Sequence, residues 1–247
     1  TVHAYELSSD HRRFLVGRHT IPKAFPINRF VELVETSPNP RDQMLWLLIG
    51  GAGIRALSET LNLYYEDILG VDEFGAARIR LDDPEIGRIR WQDNKGGWKE
   101  GTRTEFLAEA FRSEEFRGAL PELYPLKPRP RLRKGSRYWA GWKGMTFHAN
   151  PYQANRPDGS TITWQAVQWI HPAVGARFYA AFEEYRNRYF SKHGRGWPYH
   201  PYLFIELTKD RLGLPFTRAG IRKAWMRAMK RLGLEDSGLG PYSLRHM

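Results

Sequence analysis

Six consecutive apolar residues, Met44-Leu45-Trp46-Leu47-Leu48-Ile49, set the first limit on the fold. A helix through them is apolar on every side, so it needs other elements packed all round it. Asn39-Pro40 supplies its start, because an asparagine side chain caps free amides and proline is tolerated in the first turn. Gly50, Gly51 and Gly53 interrupt the run. It is far too short to cross a bilayer, which takes about 20 residues, and no charged-then-apolar signal segment opens the sequence. With 247 residues, 41% of them hydrophobic, the chain has the material to enclose such a helix. These features read as a soluble intracellular protein with no membrane partner.

Residues 1–26 mix charge with Pro22 and Pro26 and show no period, so they are predicted to form an arm or linker ahead of one domain over 27–247. The spacing of Leu57, Leu61 and Tyr64 or Tyr65 predicts a second helix over 58–65. Ala77–Leu81 and Gly87–Trp91 alternate on either side of Asp82-Asp83-Pro84, which predicts a small antiparallel sheet with turns. Residues 92–136 read as irregular. Within them, prolines 125, 128 and 130 interleave with Lys127, Arg129, Arg131 and Arg133, a pattern that stays extended and presents its charges to solvent.

Tyr138–Phe147 and Thr161–Trp169 read as strands, and Val174, Phe178, Phe182, Tyr185 and Tyr189 recur at helical spacing over 173–190. Leu203–Ile205 is a short apolar segment. Thr217 caps a last helix whose core stripe is Ile221, Trp225, Met229 and Leu232, with Gly233 as its stop. Its other faces carry Arg218, Arg222, Lys223, Arg227, Lys230 and Arg231. The fold class is therefore mainly α with a small antiparallel β-sheet (α+β).

Thirty-eight Lys and Arg against 27 Asp and Glu give a formal charge of +11, which favours a polyanionic partner such as nucleic acid, although a basic protein without one has the same composition. There is no cysteine, which excludes disulfides, thiolate zinc sites and cysteine nucleophiles. The eight histidines show no metal-ligand spacing; His193 and His200 lie in a Gly/Pro loop, solvated or capping backbone. The tryptophans and tyrosines fall mostly at core spacings, where packing competes with a role in stacking on single-stranded bases. Gly51-x-Gly53-x-x-Ala56 after an apolar run, with Asp72 or Glu73 further on, fits a dinucleotide fingerprint. That chemistry needs a strand leading into the glycine turn, and no series of βα units follows.

Three segments in order resemble the tyrosine recombinase and phage integrase family over roughly residues 27–247. Gly53-Ile54-Arg55 with Glu59, Leu61, Leu63 and Glu66-Asp67-Ile68 is similar to the family's first arginine box. Pro241-Tyr242-Ser243-Leu244-Arg245-His246 is similar to its His-x-Leu-Arg-His box. Leu203-Phe204-Ile205, Pro215-Phe216 and the basic helix ending at Leu232-Gly233-Leu234 match the run into that second box. The resemblance implies the catalytic-domain fold of DNA breaking-rejoining enzymes and site-specific recombination of the kind used by mobile elements. It further implies strand cutting and rejoining through a 3′-phosphotyrosine, without metal or nucleotide cofactor. Double-stranded DNA and other recombinase protomers assembled on it are the implied partners, in a prokaryotic cytoplasm beside the nucleoid.

The resemblance makes Arg55 and Arg245 the arginines that hold the scissile phosphate. Planar forks suit the non-bridging oxygens, where negative charge concentrates in the transition state. Glu59 and His246 take supporting positions around them. The family's general acid is a lysine on a β-turn; Lys143 in Gly141-Trp142-Lys143-Gly144 is the first candidate and Lys95 in Asp93-Asn94-Lys95-Gly96-Gly97 the rival. Arg218, Arg222, Lys223, Arg227 and Lys230 are the implied DNA-backbone contacts.

Three departures follow. The first box is one residue longer than usual, which places Glu59 at i+4, still on one helical face. Tyr242 stands where the family has histidine, and a phenol donates a hydrogen bond but is a poor base near neutral pH. The family's nucleophilic tyrosine lies beyond the second box, where this sequence has ended, so the polypeptide as given is expected not to cleave DNA. A non-catalytic DNA-binding module of the same fold is the alternative, and a dinucleotide-binding enzyme a more distant one.

Overall fold

Every side of one helix is covered, as the apolar run requires. The computed structural model describes residues 23–93, 95–111, 114–143, 163–190 and 200–247. Helix α1 spans Phe30–Glu35 and α2 spans Pro40–Gly51. The Asn39 side chain accepts the Asp42 amide at 2.9 Å, and Pro40 sits in the first turn. All six residues from Met44 to Ile49 are buried. Helix α6, Pro172–Tyr189, packs its Phe178, Ala181, Phe182 and Tyr185 face into the same core. Helix α7, Arg218–Arg231, contributes Ile221, Ala224, Trp225 and Met229, and Trp225 meets Trp46 edge-on at 5.4 Å. Thr217 Oγ1 accepts the Gly220 amide, and Gly233 takes a positive φ just beyond the helix, as a stop glycine should. Phe25 lies in this core and its amide donates to Ser243 O at 3.0 Å, so the residues just before 27 belong to the folded body.

The predicted second helix is shorter than its hydrophobic spacing suggests: α3 covers only Glu59–Asn62. The chain then enters β1, Ile68–Val71, and β2, Ala77–Asp82, which pair antiparallel. The expectation that 77–81 pairs with 87–91 is overturned. The neighbour of β2 on its other side is β5, Trp164–Ala166, giving a three-stranded antiparallel sheet in the order β1-β2-β5. Asp82-Asp83-Pro84 does not reverse the chain into a hairpin. Instead the Asp83 amide donates to Thr163 O and its carboxylate accepts the amides of Glu85 and Ile86, which turns the chain out of the sheet.

The described residues of 83–138 fold outside that sheet, and a second core forms among them. Strands β3, Arg88–Gln92, and β4, Trp98–Thr102, form a two-stranded ribbon, followed by α4, Arg103–Ala110, and α5, Glu114–Ala119. Ile89, Trp91, Phe106, Leu107, Leu123 and Leu126 close this core, and Tyr64 and Tyr202 join it to the main body. The expectation of an irregular 92–136 is corrected by β4, α4 and α5; the cations Lys127, Arg131, Arg133 and Lys134 face solvent as expected, and Arg129 does not. Arg129–Arg131 is a short 3-10 turn, and Arg129 is fully buried, lying 4.1 Å over the Tyr202 ring and donating to Phe216 O at 2.8 Å. Tyr138–Lys143 is not a strand, while 144–147 and 161–162 of the two predicted strands lie outside the described residues. Taken together, the described residues form mixed helices and antiparallel strands, an α+β protein. None of their helices is long and apolar enough to cross a membrane.

A buried ionic cluster fastens the two cores together. The guanidinium of Arg103, at the start of α4, pairs with Asp67, lies 3.7 Å from Asp82 and sits 4.3 Å over the Tyr64 ring. Asp67 also accepts the Tyr64 amide at 2.8 Å, and Asp82 accepts the Thr163 hydroxyl at 2.7 Å. Burial pushes the Asp82 carboxyl up from its ordinary value, and the Arg103 charge opposes that rise. Removing one member of a buried ion cluster leaves the others uncompensated, at a cost of about 3–5 kcal/mol. Arg103→Met should therefore lower the urea unfolding free energy by about that much. Arg88→Ala, which removes an exposed pair with Glu100, should change it by less than about 1 kcal/mol.

The solvated alternative for His200 is also overturned: it is fully buried, and of the two histidines predicted to lie in that loop only His200 is described. Its Nδ1 accepts the Tyr202 amide at 3.1 Å and its Nε2 meets Gly213 O at 2.9 Å, a pattern that fits one neutral tautomer. Burial lowers its pKa to about 3, below the ordinary 6.5. The unfolded chain therefore takes up a proton that the folded one refuses. Stability from this group is complete above 6.5 and is lost as pH falls through 6.5 towards about 3, at about 1.4 kcal/mol per pH unit. Chemical denaturation between pH 7 and 4.5 should show His200→Gln losing less stability on acidification than the parent.

Candidate active site

The C-terminal end of α2 is where the chemically suggestive segments meet. Gly53 adopts a positive φ, which returns the Ile54 amide to Leu48 O at 3.2 Å and ends the helix. Glycines also let two other segments approach that end. A Cβ at Gly50 would lie 2.8 Å from Met247 Cε and 2.6 Å from the Phe30 ring, and one at Gly51 would overlap Val174 Cγ1. The Gly51 carbonyl accepts the Ile170 amide at 2.8 Å. The run before these glycines is a helix, so the strand that a dinucleotide fingerprint needs is not there.

Arg55 follows this turn. Its guanidinium pairs with Glu59, whose other carboxylate oxygen accepts the Arg55 amide at 2.8 Å. The Arg55 carbonyl accepts from Thr60 Oγ1 at 2.9 Å and from the Thr60 amide at 3.3 Å, so backbone and side chain are both held. Glu59 is buried while Arg55 keeps part of its side chain in solvent. The longer spacing of the first box is thus accommodated as an i,i+4 pair.

Asn62, which the sequence did not single out, brings in a second segment. Its Nδ2 donates to Ser58 O at 2.9 Å and to Gly141 O at 3.2 Å, which docks the chain two residues before Lys143 against α3. Trp142 packs on the main core and leaves Lys143 exposed. Lys95 satisfies the other criterion: it sits on the tight turn between β3 and β4, where its amide is held by Asp93 Oδ1 at 2.9 Å. The segment that carries Lys143 is docked on α3 through Gly141, and Lys95 has the hairpin turn.

The second box is a 3-10 segment over Pro241–His246 packed on α2. Ser243 and Leu244 are buried and anchor it, while Tyr242, Arg245 and His246 are exposed. Arg245 precedes by two residues the Met247 that touches the Gly50 position, so both arginine boxes reach the same end of α2. Among the described residues no hydrogen bond or ion pair joins Arg55 directly to Lys143, Tyr242, Arg245 or His246.

Helix α7 leads into that box with its core stripe inward. Arg222, Lys223, Arg227 and Lys230 are exposed, at spacings that share a face, and none has an acidic partner among the described residues. Arg218 differs, being half-buried with its guanidinium 4.9 Å over Trp139. Beside the start of the helix, a groove of about 420 Å³ is lined by Asn39, Arg41, Arg211, Thr217, Lys223 and Arg227, with one carboxylate, Glu206, 3.7 Å from Arg211. The groove was not evident from sequence, because Pro38, Asn39 and Arg41 come to α7 from a distant part of the chain. Among the described residues no group of three or more His, Asp or Glu side chains is placed to hold a metal ion.

No family model matches the chain, and a search of curated proteins finds no match to it.

The glycine at position 51 gives a direct test of how this end of α2 is built. Gly51→Ala should destabilise the fold by about 1–3 kcal/mol through overpacking. Val174→Ala, combined with it, should recover part of that loss in the same thermal melt, since it removes the methyl that the new Cβ meets.

Proposed function

We propose that this chain is a DNA-binding strand-transfer domain of the tyrosine recombinase type. The observation that carries the reading is the exposed cationic face of α7, without acidic partners among the described residues, running directly into the segment that bears Arg245 at the end of α2 where Arg55 also lies. Phosphates on a duplex are the partner such a face attracts, with release of the counterions that surround DNA.

In this reading α7 and the groove beside it hold the DNA backbone, and Arg55 and Arg245 present guanidinium forks to one scissile phosphate. Glu59 fixes the Arg55 fork. A tyrosine oxygen, its proton passed to solvent, attacks phosphorus, and the bond from phosphorus to the 5′ oxygen breaks. Lys143 gives its proton to that leaving oxygen, and the product is a 3′-phosphotyrosine. Rejoining is the reverse, with a 5′ hydroxyl attacking the phosphotyrosine and its proton returning to the lysine. Tyr242 donates a hydrogen bond to the phosphate, and His246 supports the second box. Other protomers assemble on the same DNA, and the proposed setting is the nucleoid.

The test is a suicide DNA substrate offered to a polypeptide that carries the nucleophilic tyrosine, scored as a covalent protein–DNA adduct. Arg55→Ala and Arg245→Ala should each slow adduct formation by on the order of 10²–10³-fold while leaving duplex affinity largely intact. Tyr242, standing where a histidine would serve as base, favours a second reading: a module that grips DNA without cutting it. Tight, salt-dependent duplex binding with no adduct from the parent protein would establish that module instead.

A further inference from the structure

The β3–β4 ribbon has one face with no covering element among the described residues. Its five register pairs alternate strictly: Ile89 and Trp91 turn inward, where Trp91 meets Phe106 at 5.5 Å, and Arg88, Arg90 and Gln92 turn out. Trp98, opposite Gln92, is 61% exposed, an unusual position for so large an apolar ring. The Arg90 guanidinium lies 4.9 Å from the centre of that ring. Three local features hold the ends of the ribbon. Asp93 Oδ1 accepts the amides of Lys95 and Gly97 at 2.9 Å, Gly96 supplies the positive φ of the turn, and Thr102 with Glu105 caps the helix on which the ribbon rests.

We propose that this ribbon is a second DNA-contacting element, laying its outward face in the major groove of bound duplex, with Arg90 and Gln92 reaching base edges. The inference rests on the DNA-binding reading above and adds to it a source of sequence preference that α7, a backbone-facing cationic surface, does not supply. A major groove admits a two-stranded ribbon, and arginine and glutamine are the side chains that pair bidentately with guanine and adenine edges. The charge fits the partner. On the outward face Arg88 and Arg90 stand against Glu100, which pairs with Arg88 at 3.3 Å, while the Asp93 carboxylate beside Lys95 is taken up by the turn amides and lies 4.0 Å from Lys99. Duplex is favoured over single strands because Arg90 already covers one face of Trp98, where an unpaired base would stack. Trp98 instead splints the Arg90 guanidinium, so less rotamer freedom is lost when it meets a base edge.

The experiment selects preferred duplexes from a random library with the full chain, then measures affinity by anisotropy against the selected and a mixed-sequence duplex over a salt series. Arg90→Ala and Gln92→Ala should each weaken binding to the selected duplex by about 5- to 100-fold. Arg90→Lys keeps the charge, so it should hold mixed-sequence affinity and lose the preference. Thermal melts at the parental temperature establish that these exposed substitutions leave the fold intact. Unchanged affinity and an unchanged selected sequence, with Lys223→Ala and Arg227→Ala still weakening binding, overturn the ribbon while the DNA reading stands. Salt-independent or undetectable duplex binding by the parent overturns both. Self-association that disappears in Trp98→Ala, without any change in DNA binding, gives this face to a second copy and overturns the proposal.

Discussion

The ion cluster around Arg103 is the constraint from which the arrangement of this protein follows. A guanidinium removed from water needs opposite charge and hydrogen-bond acceptors close by. Arg103 finds them in Asp67, just before β1, in Asp82, at the end of β2, and in the face of Tyr64. Those residues belong to the main body, whereas Arg103 opens the helix on which the ribbon rests. The chain leaves the sheet at Asp82 and rejoins it at Trp164, and the cluster fixes where the excursion is pinned. Thr163, bonded to Asp82, ties the returning chain to the same point. Asp67 thus has a structural duty: it caps the Tyr64 amide and neutralises Arg103.

That duty shows which parts of the structure were legible in the sequence. Asn39-Pro40, Thr217 and Gly233 act through backbone groups a few residues away, and each does what its residue type indicates. The α6 and α7 stripes were readable for the same reason, since a helix face is a local periodicity. The partner of β2 was not. β5 lies more than eighty residues on, and nothing in Asp82-Asp83-Pro84 says that its carboxylates will hold a departing chain instead of a hairpin. Arg129 escaped for a related reason. Alternation of proline and arginine describes the local conformation, but the Tyr202 face and the Phe216 carbonyl that make burial tolerable come from distant sequence.

The candidate site divides along the same line. The Arg55–Glu59 pair was visible because the two residues are only four apart, Arg55 in the turn ahead of α3 and Glu59 at its start. The docking of the Lys143 segment was hidden, because it runs through Asn62 and a backbone carbonyl seventy-nine positions away. The sequence also left the turn lysine open, and the fold separates the two attributes the chemistry asks for. Lys95 has the turn and Lys143 has the proximity to α3.

Charge adds a final step. Many of the basic side chains here are matched: Arg41 with Asp42, Arg80 and Arg103 with Asp67, Arg177 with Glu35 and Arg188 with Glu184. A formal charge of +11 is therefore not spread evenly as a solubilising coat. On α7 the cations stand without acidic partners among the described residues, so on the proposed function each phosphate contact would add to binding without first breaking an internal pair. Arg55 is the opposite case. Its charge is already balanced by Glu59, so on the proposed function its contribution to binding DNA would be small and its contribution to chemistry would be orientation. Such a preorganised fork meets the developing charge with little rearrangement. Affinity and reactivity would then reside on different residues, the first on the exposed face of α7 and the second at the end of α2.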